Sequence, residues 1–364
     1  MKDKITRREF LAATGTFAVA MALPRFTFGR EEASSDVFFS SDISPAGVMR
    51  VFDRIKDRVR GKVAIKLHFG EAGNKYYIKP DMIEPLARKL DATLIETNVL
   101  YVSDYRNEAE SHIKLAKKHG FGFAPIDILD AEGDREIPVN GRHFSKVITG
   151  DHIDRYDTIV FMTHFKGHGM AGFGGAIKNV SMGMASVAGK MALHASAVPN
   201  YDQSKCISCG VCVGNCPAGA ITIDPVKIDP EKCIGCGSCI GICPQQVFDV
   251  PWRSTEQSVF LERLSEYAKG ICGAKNVLFV NVAADISQDC DCAGWARKPF
   301  MKDVGIFAST DIVAIEKASL EMVNKTFGAE DAFRKVNSVS GNHQINYAHQ
   351  LGMGNMNYNL IDTG

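Results

Sequence analysis

Asp157-Thr-Ile-Val-Phe-Met-Thr163, followed at once by His164-Phe-Lys-Gly-His168-Gly-Met-Ala-Gly-Phe-Gly-Gly-Ala-Ile-Lys178-Asn179, is the stretch on which the fold turns. Within the first seven residues, Ile159–Met162 is a short continuous apolar run, the pattern of a strand buried on both faces of a parallel sheet. The residues after His164 are different in kind. Seven glycines fall within the 23 residues from Gly167 to Gly189, and no Asp or Glu occurs in the 44 residues from Thr158 to Tyr201. The same window holds Lys166, Lys178, Lys190, His164, His168 and His194. Dense glycine with cations and no acids predicts backbone brought close to an anion. The place is right as well, because open α/β sheets bind ligands just beyond the carboxyl ends of their strands. Gly167-x-Gly169-x-x-Gly172 has dinucleotide-fingerprint spacing, but the acid expected about 20 residues later is missing, which argues against NAD. His164 and His168 are four apart, yet Gly167 and Gly169 predict a loop there rather than a helical ligand pair. For each histidine, a plain hydrogen-bonding role stands beside the chemical one.

Outward from this stretch, strand and helix patterns alternate. Ser44-Pro45 marks a helix start, and Val48, Val51, Phe52, Ile55 and Val59 follow at spacings of three and four. Lys62–Phe69 reads as a strand, and Pro80 opens a helix with Ile83, Leu86, Ala87 and Leu90 on one face. Strands are predicted at Ala92–Glu96, Ala124–Leu129, Asn276–Ala283 and Val304–Ala308. Helices are predicted at Glu108–His119, around Phe260, Leu264 and Tyr267, and at Asp311–Lys325, with Asp311 placed to cap the last. The expected fold class is α/β, a mainly parallel sheet with helices on both faces. An inserted segment of different character interrupts it, giving an α/β domain in two parts, 31–200 and 251–364, around an insert at 201–250.

Composition narrows the function. The 364 residues carry 42 Lys+Arg against 42 Asp+Glu, which argues against nucleic acid as a partner. No run of 18 apolar residues occurs, so no membrane span is expected. Residues 5–11 read I-T-R-R-E-F-L, and an apolar run from Leu11 ends at Pro24. The pair Arg7-Arg8 ahead of Phe10-Leu11 resembles a twin-arginine export signal over residues 1–30, with no clean A-x-A cleavage site before Glu31. It implies a periplasmic protein that is folded, with any cofactors inserted, before it leaves the cytoplasm.

The insert carries the most specific signal in the chain. Cys206-x2-Cys209-x2-Cys212-x3-Cys216-Pro217 is repeated 27 residues later as Cys233-x2-Cys236-x2-Cys239-x3-Cys243-Pro244, with nine of thirteen positions identical between Lys205–Pro217 and Lys232–Pro244. This spacing is that of bacterial two-cluster ferredoxins, in which the fourth cysteine of each run ligates the other cluster. The expected cofactors are two [4Fe–4S] clusters, one held by Cys206, Cys209, Cys212 and Cys243, the other by Cys233, Cys236, Cys239 and Cys216. Zinc needs neither the third cysteine nor the trailing Cys-Pro, and disulfides among eight cysteines so close together are sterically awkward.

The stretch His164–Asn179 also resembles a widespread prokaryotic family catalogued as domain of unknown function 362, whose members often carry a two-cluster ferredoxin segment. The resemblance spans roughly residues 36–364. The same residues are similar to the nickel-pincer-nucleotide lactate racemases through His168, Ala171-Gly172-Phe173, Gly174-Gly175, Lys178 and His194. In that family the lysine tethers the cofactor, the later histidine ligates nickel and the earlier one is an acid/base catalyst. Ala176-Ile177 replaces the racemase Gly-Arg, and Lys66-Leu67-His68-Phe69-Gly70-Glu71 stands where its Asp-His-Thr-Arg signature would be.

Three cysteines remain. Cys290-Asp291-Cys292 follows the strand Asn276–Ala283, again at a carboxyl end, and resembles a Cys-Asp-Cys of the unknown-function family. Two thiolates with nearby carboxylates can hold a further metal, form a redox pair, or stay free. Cys272 has no assigned role. The site is therefore expected to place His164 or His168 as acid/base groups, and Lys66, His68, Lys166, Lys178 and His194 around a small anionic ligand or cofactor. The leading expectation is an exported iron–sulfur oxidoreductase with a redox partner protein. The alternatives are an electron-carrier subunit that only docks, and a nickel-dependent racemase-like isomerase. Trp252, Trp295 and Met182–Met191 are expected to serve packing.

Overall fold

A computed structural model describes residues 33–364 other than 102, 195–197 and 253. The twin-arginine motif lies outside these residues. Eight strands make the main sheet: β1 (Ser34–Ser40), β2 (Val63–Lys66), β3 (Thr93–Glu96), β4 (Ile126–Ile128), β5 (Thr158–His164), β6 (Asn276–Ala283), β7 (Gly305–Ser309) and β8 (Asn357–Asp362). Their spatial order is β8-β1-β7-β6-β5-β2-β3-β4. Only β7 runs against its neighbours, β1 and β6; every other pairing is parallel. The mainly parallel α/β fold is therefore as the sequence predicts.

Side chains along each strand alternate between two cores, as the pleat requires. On β5, Ile159 and Phe161 enter one core and Val160 and Met162 the other; on β6, Phe279 parts from Leu278 and Val280 in the same way. Helices α1 (Pro45–Phe52), α2 (Pro80–Leu90) and α3 (Ala109–Lys118) cover the second core. The first is covered by α4 (Ala176–Ser181), α5 (Val187–His194), α6 (Gln257–Ala274), α7 (Ile312–Phe327), α8 (Ala332–Asn337) and α9 (Asn342–Gln350). The result is three layers, helix on sheet on helix.

Local differences have local causes. Helix α1 stops at Phe52 rather than running on to Val59, because Asp53–Arg58 offers only Ile55 as an apolar anchor and turns into a 3-10 turn at Lys56–Arg58. The stretch after β5 is a small hairpin, Lys166–His168 paired with Gly172–Gly174, not an open loop. Gly172 permits this with φ +76°, and a Cβ there would lie 2.5 Å from the Gly341 nitrogen. Asp311 does cap α7, accepting from the Val313 and Ala314 amides.

The cysteine-rich segment begins and ends at one place, where Asn200–Tyr201 pairs with Phe248–Asp249. Within it, the single helical turns Val211–Gly214 and Ser238–Ile242 each follow a left-handed glycine, Gly210 (φ 74°, ψ −2°) and Gly237 (φ 73°, ψ −1°), so the sequence repeat is a structural repeat. A small apolar core of Ile221, Val226, Ile228, Ile240, Val247 and Phe248 holds it, and Leu100 and Met191 of the α/β body join that core.

Phe161 is fully buried between the sheet and the helices of the first core. Phe161→Ala is expected to lower unfolding free energy by about 3–5 kcal/mol in denaturant titration.

Candidate functional site

The chain winds outward from β2 through β3 to β4, then returns to β5 beside β2 and continues to β6 on the other side. Winding thus changes direction between β2 and β5, the position at which open α/β sheets leave a crevice at their carboxyl ends. A cavity of about 350 Å³ lies there. Lys66 ends β2, Glu96 ends β3 and His164 ends β5; Asp289–Cys292 follows β6, and all of them line it. Also on the wall are His68, Arg106, Lys166, His168, Lys178, Lys190 and His194. Every non-cluster site residue predicted from sequence therefore converges on one cavity.

Charge decides what the cavity favours. Its lining includes five cations, Lys66, Arg106, Lys166, Lys178 and Lys190, against three carboxylates, Glu96, Asp289 and Asp291. Asp289 is already held at both oxygens by Arg297, at 2.8 and 2.6 Å. Lys66 Nζ reaches Glu96 Oε1 at 3.2 Å, the Leu67 carbonyl at 2.9 Å and Asn179 Oδ1 at 3.2 Å. Burial works to raise the Glu96 carboxyl, but Lys66 and Arg106 outweigh it and hold it at about 2. Arg106 is itself buried, 3.6 Å from Glu96 and 3.5 Å from Glu71, with Nε donating to His112. Burial lowers Lys190 to about 8, against Asp130 and Glu96. Lys166 lies 3.5 Å from Asp291, and this carboxylate keeps Lys166 charged against its burial. Lys178 has no carboxylate among its described partners; its Nζ lies 3.9 Å from Cys290 Sγ.

The two candidate acid/base histidines separate. His164 has both ring nitrogens occupied by acceptors, Nδ1 with Asp291 Oδ1 at 2.7 Å and Nε2 with the Ala284 carbonyl at 2.8 Å. It binds the loop after β6 to the end of β5 and has no ring atom left for a ligand. His168 is the opposite case. The amides of Met170 and Ala171 donate to its Nδ1, which leaves Nε2–H on the cavity side. Burial, then Lys178 and His194, keep His168 well below the ordinary histidine range and so neutral. His194 is held between Trp252, edge-on at 4.8 Å, and Phe260, stacked at 5.2 Å, and its Nδ1 has no hydrogen-bond partner among the described residues. The Gly70 amide donates to His68 Nδ1, and Arg106 lies 3.1 Å from Nε2. Trp252, Trp295 and Met182 also line the cavity rather than serving only as packing.

Cys290 and Cys292 share this cavity. Asn74 clamps their loop, its amide donating to the carbonyls of Asp291 at 3.2 Å and Ala293 at 2.9 Å. A hydrogen bond from Cys292, then Lys178 and Lys166, bring the Cys290 thiol well below the ordinary range despite burial. Cys272 lies elsewhere, against the first core, where burial pushes its thiol up to about 12.

The eight cysteines of the repeat sort four and four. Cys206, Cys209, Cys212 and Cys243 line one small cavity, and Cys216, Cys233, Cys236 and Cys239 another. Backbone amides point at sulfur: Ser208 to Cys206, Ala220 to Cys216 and Val247 to Cys243, at 3.3, 3.3 and 3.4 Å. Among the described residues, no three His, Cys, Asp or Glu side chains converge tightly enough to hold a single metal ion.

Arg106, Glu96 and Glu316 are the functional-site residues that sequence reasoning missed. Glu316, on α7, is fully buried and accepts from the Ala176 and Ile177 amides at 2.6 and 3.2 Å, so it fixes the start of the helix that presents Lys178. Glu96 and Arg106 were within reach, since both fall at or just after the carboxyl end of a predicted strand.

This is a three-layer α/β protein with a cationic cavity at the switch point of its sheet. Residues 63–321 match the family described as Domain of unknown function (DUF362), and the chain belongs to that family. No curated protein matches it. Among solved structures it is similar to the lactate racemase apoprotein from Thermoanaerobacterium thermosaccharolyticum, at 14% identity and TM-score 0.41, covering 79% of this chain and 57% of that one. It is also similar to a protein from Thermotoga maritima, at 9% identity and TM-score 0.39, covering 78% of this chain and 58% of that one. The chain thus spans under two thirds of the length of either.

Burial raises the Glu316 carboxyl from 4.5 to about 7. A carboxyl whose folded pKa lies above its unfolded one contributes stability that is full below about 4.5 and lost as pH rises through about 7. The unfolding free energy of the wild type relative to Glu316→Gln is therefore expected to fall across that window, as read by denaturant titration at several pH values.

Proposed function

We propose that this chain is an iron–sulfur oxidoreductase. Two [4Fe–4S] clusters in the cysteine segment exchange electrons with a cationic cavity that takes a small anionic substrate. One observation carries the proposal: the eight cysteines fall into two four-thiol cavities in the crossed three-plus-one arrangement, and the second lies against the wall of the large cavity. Gly237, beside Cys236 and Cys239, touches Leu100, which lines that cavity. The donor set fits the group. Four sulfurs around a cubane stand farther apart than four ligands on one ion, so the absence of a tight single-ion site does not count against it. Amide N–H groups aimed at Cys206, Cys216 and Cys243 suit thiolates that carry charge. When bound, the clusters supply one-electron transfer.

In the large cavity, Lys166 and Lys178 hold the anionic group and neutral His168 offers its Nε2–H as a hydrogen-bond donor to the substrate. A redox partner protein delivers or removes the electrons. Anaerobically purified protein is expected to hold eight irons and eight sulfides by elemental and sulfide analysis. Retention of zinc in their place, or of no metal in any anaerobic preparation, overturns the proposal.

A second reading has one observation in its favour. His168, Lys178 and His194, which the racemase resemblance pairs with catalyst, cofactor tether and nickel ligand, all line the same cavity, and His194 Nδ1 lacks a partner among the described residues. Nickel retained in the same elemental analysis, after expression with nickel and maturation enzymes, favours this reading; its absence removes it.

Export is part of the proposal and rests on Arg7-Arg8. Arg7→Lys with Arg8→Lys is expected to leave most of the protein in the cytoplasm, measured by cell fractionation. Unchanged export excludes the twin-arginine route.

A further inference from the structure

We propose that Cys290 and Cys292 form a redox-active dithiol on the cavity wall, which stores an electron pair by opening and closing a disulfide. The inference rests on the iron–sulfur proposal for its electron source, and on geometry for the pair itself.

Three observations single the pair out. Both thiols line the large cavity, one residue apart on the same loop, and Lys178 Nζ lies 3.9 Å from Cys290 Sγ. The neighbouring carboxylates are paired, Asp289 with Arg297 at both oxygens and Asp291 with His164 at Oδ1, and among the described residues no three His, Cys, Asp or Glu side chains converge on a single-metal site. The loop is also braced from outside, by Asn74 on the Asp291 and Ala293 carbonyls and by the Glu71 amide on the Asp291 carbonyl at 3.0 Å. Two cysteines separated by one residue close a strained disulfide, and strained disulfides are the readily reduced, catalytic kind.

The neighbours suit each state. Lys178 Nζ, 3.9 Å from Cys290 Sγ, stabilises a thiolate there, while the bond to Cys290 and then burial push the Cys292 thiol well above its ordinary range. Leu100 lines the same cavity and contacts Gly237 of the segment, where a Cβ would approach Leu100 Cδ1 to 2.9 Å. Leu100 is thus shared between the wall of the cavity that holds the dithiol and the segment that carries Cys216, Cys233, Cys236 and Cys239. When the disulfide opens, the S–S bond breaks and takes up two electrons, one from each of two reduced clusters, which return to their oxidised state. Cys292 takes one proton from solvent and Cys290 remains a thiolate. Closing runs the same balance in reverse. Two one-electron carriers thereby serve one two-electron centre.

The test uses the anaerobically purified full chain. Tryptic peptide 276–297 contains Cys290 and Cys292 and no other cysteine, so its mass reports on the pair alone. The protein is oxidised with ferricyanide, or oxidised and then reduced with dithionite, and trapped with N-ethylmaleimide before digestion under denaturing conditions. The oxidised sample is expected to lose two hydrogens and take up no maleimide; the dithionite sample is expected to take up two. In Cys236→Ser, dithionite is expected to leave the disulfide closed while a phosphine opens it. Two maleimides after every oxidant, in iron-loaded protein, overturn the dithiol and leave the clusters standing. A pair that cycles with phosphine in protein that binds no iron removes the clusters as electron source. A Cys236→Ser pair opened by dithionite as fast as the wild type overturns the link between cluster and dithiol.

Discussion

Four buried cationic side chains, with a fifth half-buried beside them, cannot leave water together unless each is met by an acceptor or by a counter-charge that arrives later. That constraint organises the cavity. Each buried cation here costs several kcal/mol to desolvate, and a pair recovers this only with good geometry and further hydrogen bonds. Lys66 has such a set in Glu96, Asn179 and the Leu67 carbonyl, and Arg106 has one in Glu96, Glu71 and His112. These two are structural cations that frame the wall. Lys166 shares Asp291 with His164, and Lys178 has only a thiol close by. The excess positive charge is thus concentrated at the hairpin and α4, where an incoming anion completes the balance.

The sheet makes this arrangement geometrically simple. Parallel strands deliver their last residues to one edge, so Lys66, Glu96, His164 and the loop after β6 meet without long excursions. Glu316 extends the scheme from beneath. By accepting the first amides of α4 it fixes the helix that carries Lys178, and Gly175 leaves the room, since a Cβ there would lie 2.3 Å from Glu316 Oε2.

Much of this was legible in the sequence, for identifiable reasons. Apolar runs such as Asn276–Ala283 are buried on both faces and have no alternative conformation that hides them, so the ends of β6 match the sequence pattern. The acid-free glycine window located the cavity because charge and backbone freedom are compositional. The features that were not legible depend on pairing across long sequence distances. β8, with mostly exposed side chains, shows little apolar pattern and exists because β1 is there to receive it. The separation of His164 from His168 was hidden too, because it is set by the Asp291 carboxylate and Ala284 carbonyl, more than a hundred residues away. Glu316 is indistinguishable in sequence from any helical acid, and only its burial beneath α4 sets it apart.

The pairing of β1 has a consequence for the order of events in synthesis. β1 is formed from residues 34–40, yet both of its sheet neighbours, β7 and β8, come from beyond residue 304, and Ser40 Oγ donates to the Gly364 carbonyl. The first of the described strands must therefore wait for its sheet partners until residues beyond 304 have emerged. The cysteine segment, whose two ends meet locally at Tyr201 and Phe248, can close on itself long before that. Assembly thus has a built-in sequence, with the local module complete first and the edge of the sheet sealed last.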